Sequence, residues 1–181
     1  MHAKFRILMM SAAVAIGGTA VAQDNPQVGG AAMYANRTIV ENAVNSKDHT
    51  TLVAAVKAAG LVETLSGDGP FTVFAPTNAA FAKLPAGTVD TLVKPENKQM
   101  LTGILTYHVV PGTIMAADIA AKVASRGTAT YPTVAGGDLT FAKAGSGYTV
   151  TDAKGNAANI TIADVRQKNG VIHVIDTVLM P

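Results

Sequence analysis

The chain has 181 residues, with 14 Lys+Arg against 12 Asp+Glu, 49% apolar residues, 5% aromatic, 14% charged and no Cys. That length suits one domain burying about two thirds of its unfolded surface. The missing Cys excludes disulfides, a thiolate metal site, a Cys nucleophile and a lipidated N-terminal Cys. The low charge content excludes disorder and a nucleic-acid-binding face.

The chain opens on His2, Lys4 and Arg6, followed by an uncharged, largely apolar run over residues 7–23 that contains Ala20-Val21-Ala22. This is the pattern of a secretory signal peptide and its small-residue cleavage site. It predicts a signal peptide over residues 1–22, cleaved after Ala22, and an exported protein, periplasmic or released. The run is shorter than a comfortable span of about 20 residues, and no second long apolar run follows, so no membrane insertion is expected. Losing Lys4 and Arg6 leaves 12 basic and 12 acidic residues, so the exported part is formally neutral. Neutrality imposes no electrostatic steering on a partner.

Residues 23–36 contain Pro, Gly and Ala and are expected to be a flexible leader. The folded domain is expected over residues 37–181. Thr38-Ile39-Val40-Glu41 matches a capping box and starts a helix. Leu52, Val53, Val56 and Ala59 recur at helical spacing, with Gly60 as the stop. A dense turn at Ser66-Gly67-Asp68-Gly69-Pro70 precedes a β-prone run, Phe71 to Ala75, closed by Pro76. Thr77-Asn78 offers an N-cap for a short helix through Phe81. The stripe Met100/Leu101/Ile104/Leu105 predicts a buried helix face, as does Met115/Ile119/Val123 in a third helix stopped near Gly127. The charges between them, such as Lys94, Glu96, Lys98, Lys122 and Arg126, are interspersed and belong to solvated surface.

The last fifty residues alternate at period two: Leu139/Phe141, Tyr148/Val150 and Ile160/Ile162. Turns fall at Gly136-Gly137, Gly145-Ser146-Gly147 and Asp152 to Gly155. A final hairpin runs from Ile160 through Lys168-Asn169-Gly170 to Leu179. Helices first and antiparallel strands after define an α+β domain. The isolated Phe71–Ala75 strand must join the later strands in one sheet system.

Three segments carry a resemblance. Residues 69–81 (Gly-Pro-Phe-Thr-Val-Phe-Ala-Pro-Thr-Asn-Ala-Ala-Phe), Leu105-Thr106-Tyr107-His108-Val109-Val110, and residues 169–181 (Asn-Gly-Val-Ile-His-Val-Ile-Asp-Thr-Val-Leu-Met-Pro) resemble, in order and spacing, the boxes of the fasciclin domain family. The resemblance implies a fasciclin-like fold, an antiparallel β-wedge or sandwich with several short helices packed around it. It implies a secreted, non-enzymatic protein, a monomer without cofactor, that contacts a cell-surface or matrix protein or polysaccharide. It places Tyr107 and His108 in an adhesion-linked motif, with Asp176 of the closing box as a further adhesion candidate. Phe74, Pro76, Thr77, Asn78, Phe81, Gly170 and His173 are its structural positions. The chain contains no Arg-Gly-Asp tripeptide, so integrin binding of the animal kind does not carry over. A second reading is a carrier of an apolar small molecule or pigment.

The residues themselves offer plainer roles. His108 would hydrogen-bond inside the domain and fix the turn at Pro111-Gly112, since a buried imidazole must have both nitrogens satisfied. Asp176 would bond nearby backbone. Asn78 would give its side-chain oxygen to a helix-start N–H. His173 and Asp176, three apart on a strand, face opposite sides, and His49, His108 and His173 make no i, i+4 pair, so no metal site is expected. Ser146 lacks the Gly-x-Ser-x-Gly elbow, and no phosphate-binding glycine loop occurs, so neither hydrolysis nor nucleotide binding is expected.

Overall fold

The computed structural model describes residues 25–181. The signal peptide and its cleavage point lie outside them. Residues expected to form a flexible leader are instead a small hairpin, β1 (Gln27–Val28) against β2 (Ala31–Ala32), turned at Gly29-Gly30. Its apolar residues cause this: Val28 and Met33 are buried in the core, at 3% and 2% exposure. The Lys47 N–H also donates to the Gly29 carbonyl.

Helix α1 (Ile39–Ala43) starts where the capping box places it. The Glu41 N–H donates to Thr38 Oγ1, and the Thr38 N–H to Glu41 Oε2. Helix α2 (Thr50–Ala59) stops at Gly60, which adopts the left-handed conformation. A short α3 (Val62–Ser66) leads to β3 (Phe71–Pro76), then α4 (Asn78–Ala82), α5 (Thr88–Leu92) and α6 (Lys98–Tyr107). Strand β4 (Val109–Pro111) follows, then α7 (Ala116–Arg126) and β5 (Thr128–Pro132). Strands β6 (Asp138–Ala144), β7 (Gly147–Thr151), β8 (Ala157–Gln167) and β9 (Gly170–Ile175) end the chain. The capping role expected of Asn78 is split. Thr77 Oγ1 caps α4 by accepting from the Ala80 N–H. Asn78 Oδ1 reaches back to the start of α2, accepting from the Thr51 N–H, while its Nδ2 donates to the Lys47 carbonyl. Asn78→Ala therefore leaves groups on two other segments without partners. We expect a loss of about 1–2 kcal/mol, read as a lower midpoint in urea at unchanged slope.

The sheet order is β4-β3-β9-β8-β7-β6-β5. The early strand joins the later ones as expected, and its pairing with β9 is parallel, with Phe74 opposite His173. The Val134 N–H donates to the Val109 carbonyl, so the segment after β5 meets β4 and the two ends of the sheet approach each other. Strands β3 and β9 are buried on both faces and form the wall between two cores. Val73, Ala75, Ile172 and Val174 face the core under α1, α2, α4 and α6. Phe74 and Ile175 face a second core with α7 and β5–β7, around Ile119, Leu139, Phe141 and Val150. Period-two alternation distributes these side chains, and burial on both sides makes the two strands nearly all apolar. Strand β8 bends at two register shifts, with Asp164 at φ 59°, and pairs with both β7 and β9.

Three sequence expectations are corrected by packing. Met100 is 61% exposed, because α6 turns Leu101, Ile104 and Leu105 inward instead. Met115 is the N-cap of α7 rather than part of its buried stripe. The final strand ends at Ile175, where the chain bends, although the Asp176 N–H still donates to the Asn159 carbonyl of β8.

Candidate functional site

Tyr107 and His108 end α6 and are both internal. Tyr107 is fully buried; its hydroxyl donates to the Asp138 carbonyl and accepts from the Ala153 N–H, each at 2.9 Å. Burial raises the pKa of that phenol. His108 is 2% exposed. Its Nδ1 lies 2.8 Å from the Ile104 carbonyl and its Nε2 accepts from the Leu179 N–H at 3.0 Å. One nitrogen must carry a proton and the other must not, so the partners select the neutral ring. Burial drives its pKa down to about 4, partly opposed by the Ile104 carbonyl. In this folded state neither side chain presents a surface to a partner. Together they tie α6 to β6, to the turn after β7 and to the C-terminal segment.

Asp176 is the adhesion candidate that solvent reaches, with about a third of its side chain exposed (32%). Its oxygens accept from the Asn159 backbone and side-chain N–H groups, both at 2.8 Å, and from the Thr177 hydroxyl; Lys83 Nζ stands 3.9 Å away. Partial burial works to raise its pKa, but the Asn159 and Thr177 bonds and the Lys83 charge outweigh that and hold it below the usual range. His173 is fully buried and stacks on Phe74 at 5.3 Å. Its ring bonds the Ile114 carbonyl at 2.7 Å and accepts from the Asp164 N–H at 3.3 Å. Asp164 Oδ1 in turn caps the Ala116 N–H at the start of α7. Among the described residues no three His, Cys, Asp or Glu side chains gather as a metal site.

An open groove that no single motif announced lies on the surface. It holds about 550 Å³ between the Ser66–Pro70 turn, the Thr113–Met115 segment and the β8–β9 turn. Asn169, only 8% exposed, fixes its floor. Its Nδ2 donates to the Leu65 and Gly67 carbonyls, its Oδ1 accepts from the Ile39 N–H, and its carbonyl accepts from the Phe71 N–H. Thus α1, α3 and β3 are pinned to one residue beside the start of β9. Asp152 does the same for the turn after β7, accepting from the Lys154, Asn156 and Met180 N–H groups. Neither residue stood out in the sequence, because Asn and Asp in Gly-containing turns are ordinary. A second, apolar cavity beneath α1–α3, bordered by Ile39, Val56, Leu65 and His108, measures about 40 Å³. That is room for a water or two.

The two-core α+β architecture is shared with a solved FAS1 domain pair from the insect cell adhesion molecule Fasciclin I. The TM-score is 0.70 at 19% identity, over 80% of this chain and 51% of that one, so the chain spans about half its length. The chain belongs to the fasciclin domain family, whose domain it matches over residues 47–181. It is 52% identical over 169 residues to Protein sll1483 of Synechocystis sp., covering 93% of this chain and 87% of that one. It is 40% identical to the immunogenic protein MPB70 of Mycobacterium bovis, over 77% of this chain and 66% of that protein. It is 38% identical to the cell surface glycolipoprotein MPB83 of the same species, over 88% and 68%.

Proposed function

We propose that the protein is a secreted domain that contacts a cell surface or the surrounding matrix and carries out no chemistry of its own. The observation that carries this reading is membership of the fasciclin family, with one relative named as a cell surface glycolipoprotein and a structural neighbour named as part of a cell adhesion molecule. The signal-peptide pattern of residues 1–22 supports export. Among the described residues no helix is long and apolar enough to cross a membrane. Asp176 and the groove supply exposed polar groups on a rigid frame, which suits contact without rearrangement.

The exported protein, labelled and added to envelopes of the source organism, is expected to bind saturably and to be displaced by unlabelled protein. Binding no greater than that of an unrelated neutral protein overturns the reading. The carrier alternative requires α1 to part from α2 and α3, since the closed cavity is far smaller than the roughly 300 Å³ at which ligand pockets begin. It makes a different prediction: an apolar molecule extracted from the purified protein in stoichiometric amount.

A further inference from the structure

We propose that the groove between the Ser66–Pro70 turn and the β8–β9 turn binds a carboxylated polysaccharide. This inference rests on the surface-contact reading and names its partner class. Arg166, near the end of β8, and Lys168, in the turn that follows, both line the groove. Both are exposed, and among the described residues neither makes an ion pair within 4.0 Å. Of the acids nearby, Asp68 shares the groove lining and Glu41 feels the charges of Arg37 and Lys168, but three carboxylates are already engaged by backbone N–H groups. Glu41 is bonded to the Thr38 N–H at 2.7 Å, Asp118 to the Met115 N–H at 2.9 Å and Asp164 to the Ala116 N–H at 2.7 Å. These carboxylates are used at helix starts, and none of them closes an ion pair with Arg166 or Lys168.

Arg37 extends the cationic rim. Its carbonyl accepts from the Lys168 N–H, and its guanidinium lies 4.9 Å from the ring of Tyr34, which is 41% exposed. An exposed aromatic ring beside cations suits the apolar face of a sugar next to a carboxylate. Elsewhere the lining is hydroxyl-rich, with Thr38, Ser66 and Thr113, and Asp68 can accept from a sugar hydroxyl. The apolar members of the lining are Pro70, Met115 and Val171, outnumbered by hydroxyl, amide and charged side chains, so a polyhydroxylated chain fits better than an acidic peptide. The floor is already ordered by Asn169, so binding need not order the loops first.

The test measures binding of the exported protein to polygalacturonate, to its methyl-esterified form and to polyglutamate, by biolayer interferometry at low and at physiological salt. Polygalacturonate is expected to bind and to weaken with salt, and the ester and polyglutamate to bind at least tenfold more weakly. Arg166→Glu/Lys168→Glu is expected to weaken polygalacturonate at least tenfold, with an unchanged melting curve because both residues are exposed. Lys94→Glu/Lys143→Glu, the same charge change on exposed residues outside the groove lining, is expected to leave it intact. If the first pair disturbs folding, Arg166→Gln/Lys168→Gln takes its place. The proposal is overturned by no binding, by equal losses in the two pairs, or by equal affinity for polyglutamate. Envelope binding that survives Arg166→Glu/Lys168→Glu overturns it while leaving the surface-contact reading standing. Polygalacturonate binding without envelope binding does the reverse.

Discussion

Between pH 6.5 and 4 the protein is expected to lose about 3 kcal/mol of stability through His108 alone. In the unfolded chain this imidazole takes up a proton near its ordinary value of 6.5, whereas the folded protein resists until about pH 4. The folded-state value is therefore depressed, and the unfolded state binds more protons across that window. The contribution is complete above pH 6.5 and is lost as the pH falls through the window. The cause is geometric. Protonation would place a second N–H at Nε2 against the Leu179 N–H, which already donates there, in a site shielded from water. Burial pushes His49 and His173 in the same direction, so the measured slope should exceed that of one group.

Urea unfolding at pH 7, 5.5 and 4 measures this. His108→Gln is expected to start less stable at pH 7 and to lose about 3 kcal/mol less than the parent on going to pH 4. Equal slopes in the two proteins would show that the ring is not held neutral. Asp152 and Asp176 act lower on the scale. Burial works to raise each, but the N–H groups bonded to them outweigh it, so their contributions are lost only as the pH drops below the ordinary carboxyl value of 3.8.

Much of the frame was legible in local pattern. Thr38 and Glu41 announced α1, Gly60 announced the end of α2, and alternation around Phe141, Val150 and Ile160 announced strands, because each signal lies within a few residues of what it determines. The parallel register of Phe74 against His173 was not legible, since nothing near either residue states which strand lies beside it. Hairpin β1–β2 was missed for the opposite reason. Gly29-Gly30 looks like linker, and Val28 and Met33 are too few to show a period; only the core they enter makes them structural. Strand β5 was missed because Ala129 and Tyr131 alternate over just five residues. The groove has the longest-range origin of all. Its two turns were each visible, yet they lie about a hundred residues apart, and Asn169 joins them by bonds spanning 104 and 102 positions. Tyr107 and His108 were visible as a motif, but a motif states which residues recur and not which way they face.

Gly170→Ala is expected to cost at least about 3 kcal/mol, or roughly 10 °C in melting temperature. Gly170 opens β9 opposite Phe71 of β3, and the two strands approach so closely there that a Cβ would fall inside the contact shell of the Phe71 carbonyl oxygen. The neighbouring atoms are all Phe71 backbone, so no flexible side chain can swing aside. Relief requires β3 and β9 to separate at the end where the Phe71 N–H bonds the Asn169 carbonyl, which also loosens the groove floor. Gly103→Ala is the matched control. Gly103 sits within α6 with open space where its Cβ would lie, and replacing helical Gly by Ala is expected to stabilise by about 0.5–1 kcal/mol. Thermal unfolding of the two variants beside the parent is expected to give opposite signs, a loss at position 170, where the Phe71 backbone is close and φ is 158°, and a gain at position 103. A Gly170→Ala protein that melts with the parent would mean that β3 and β9 do not pair in this register.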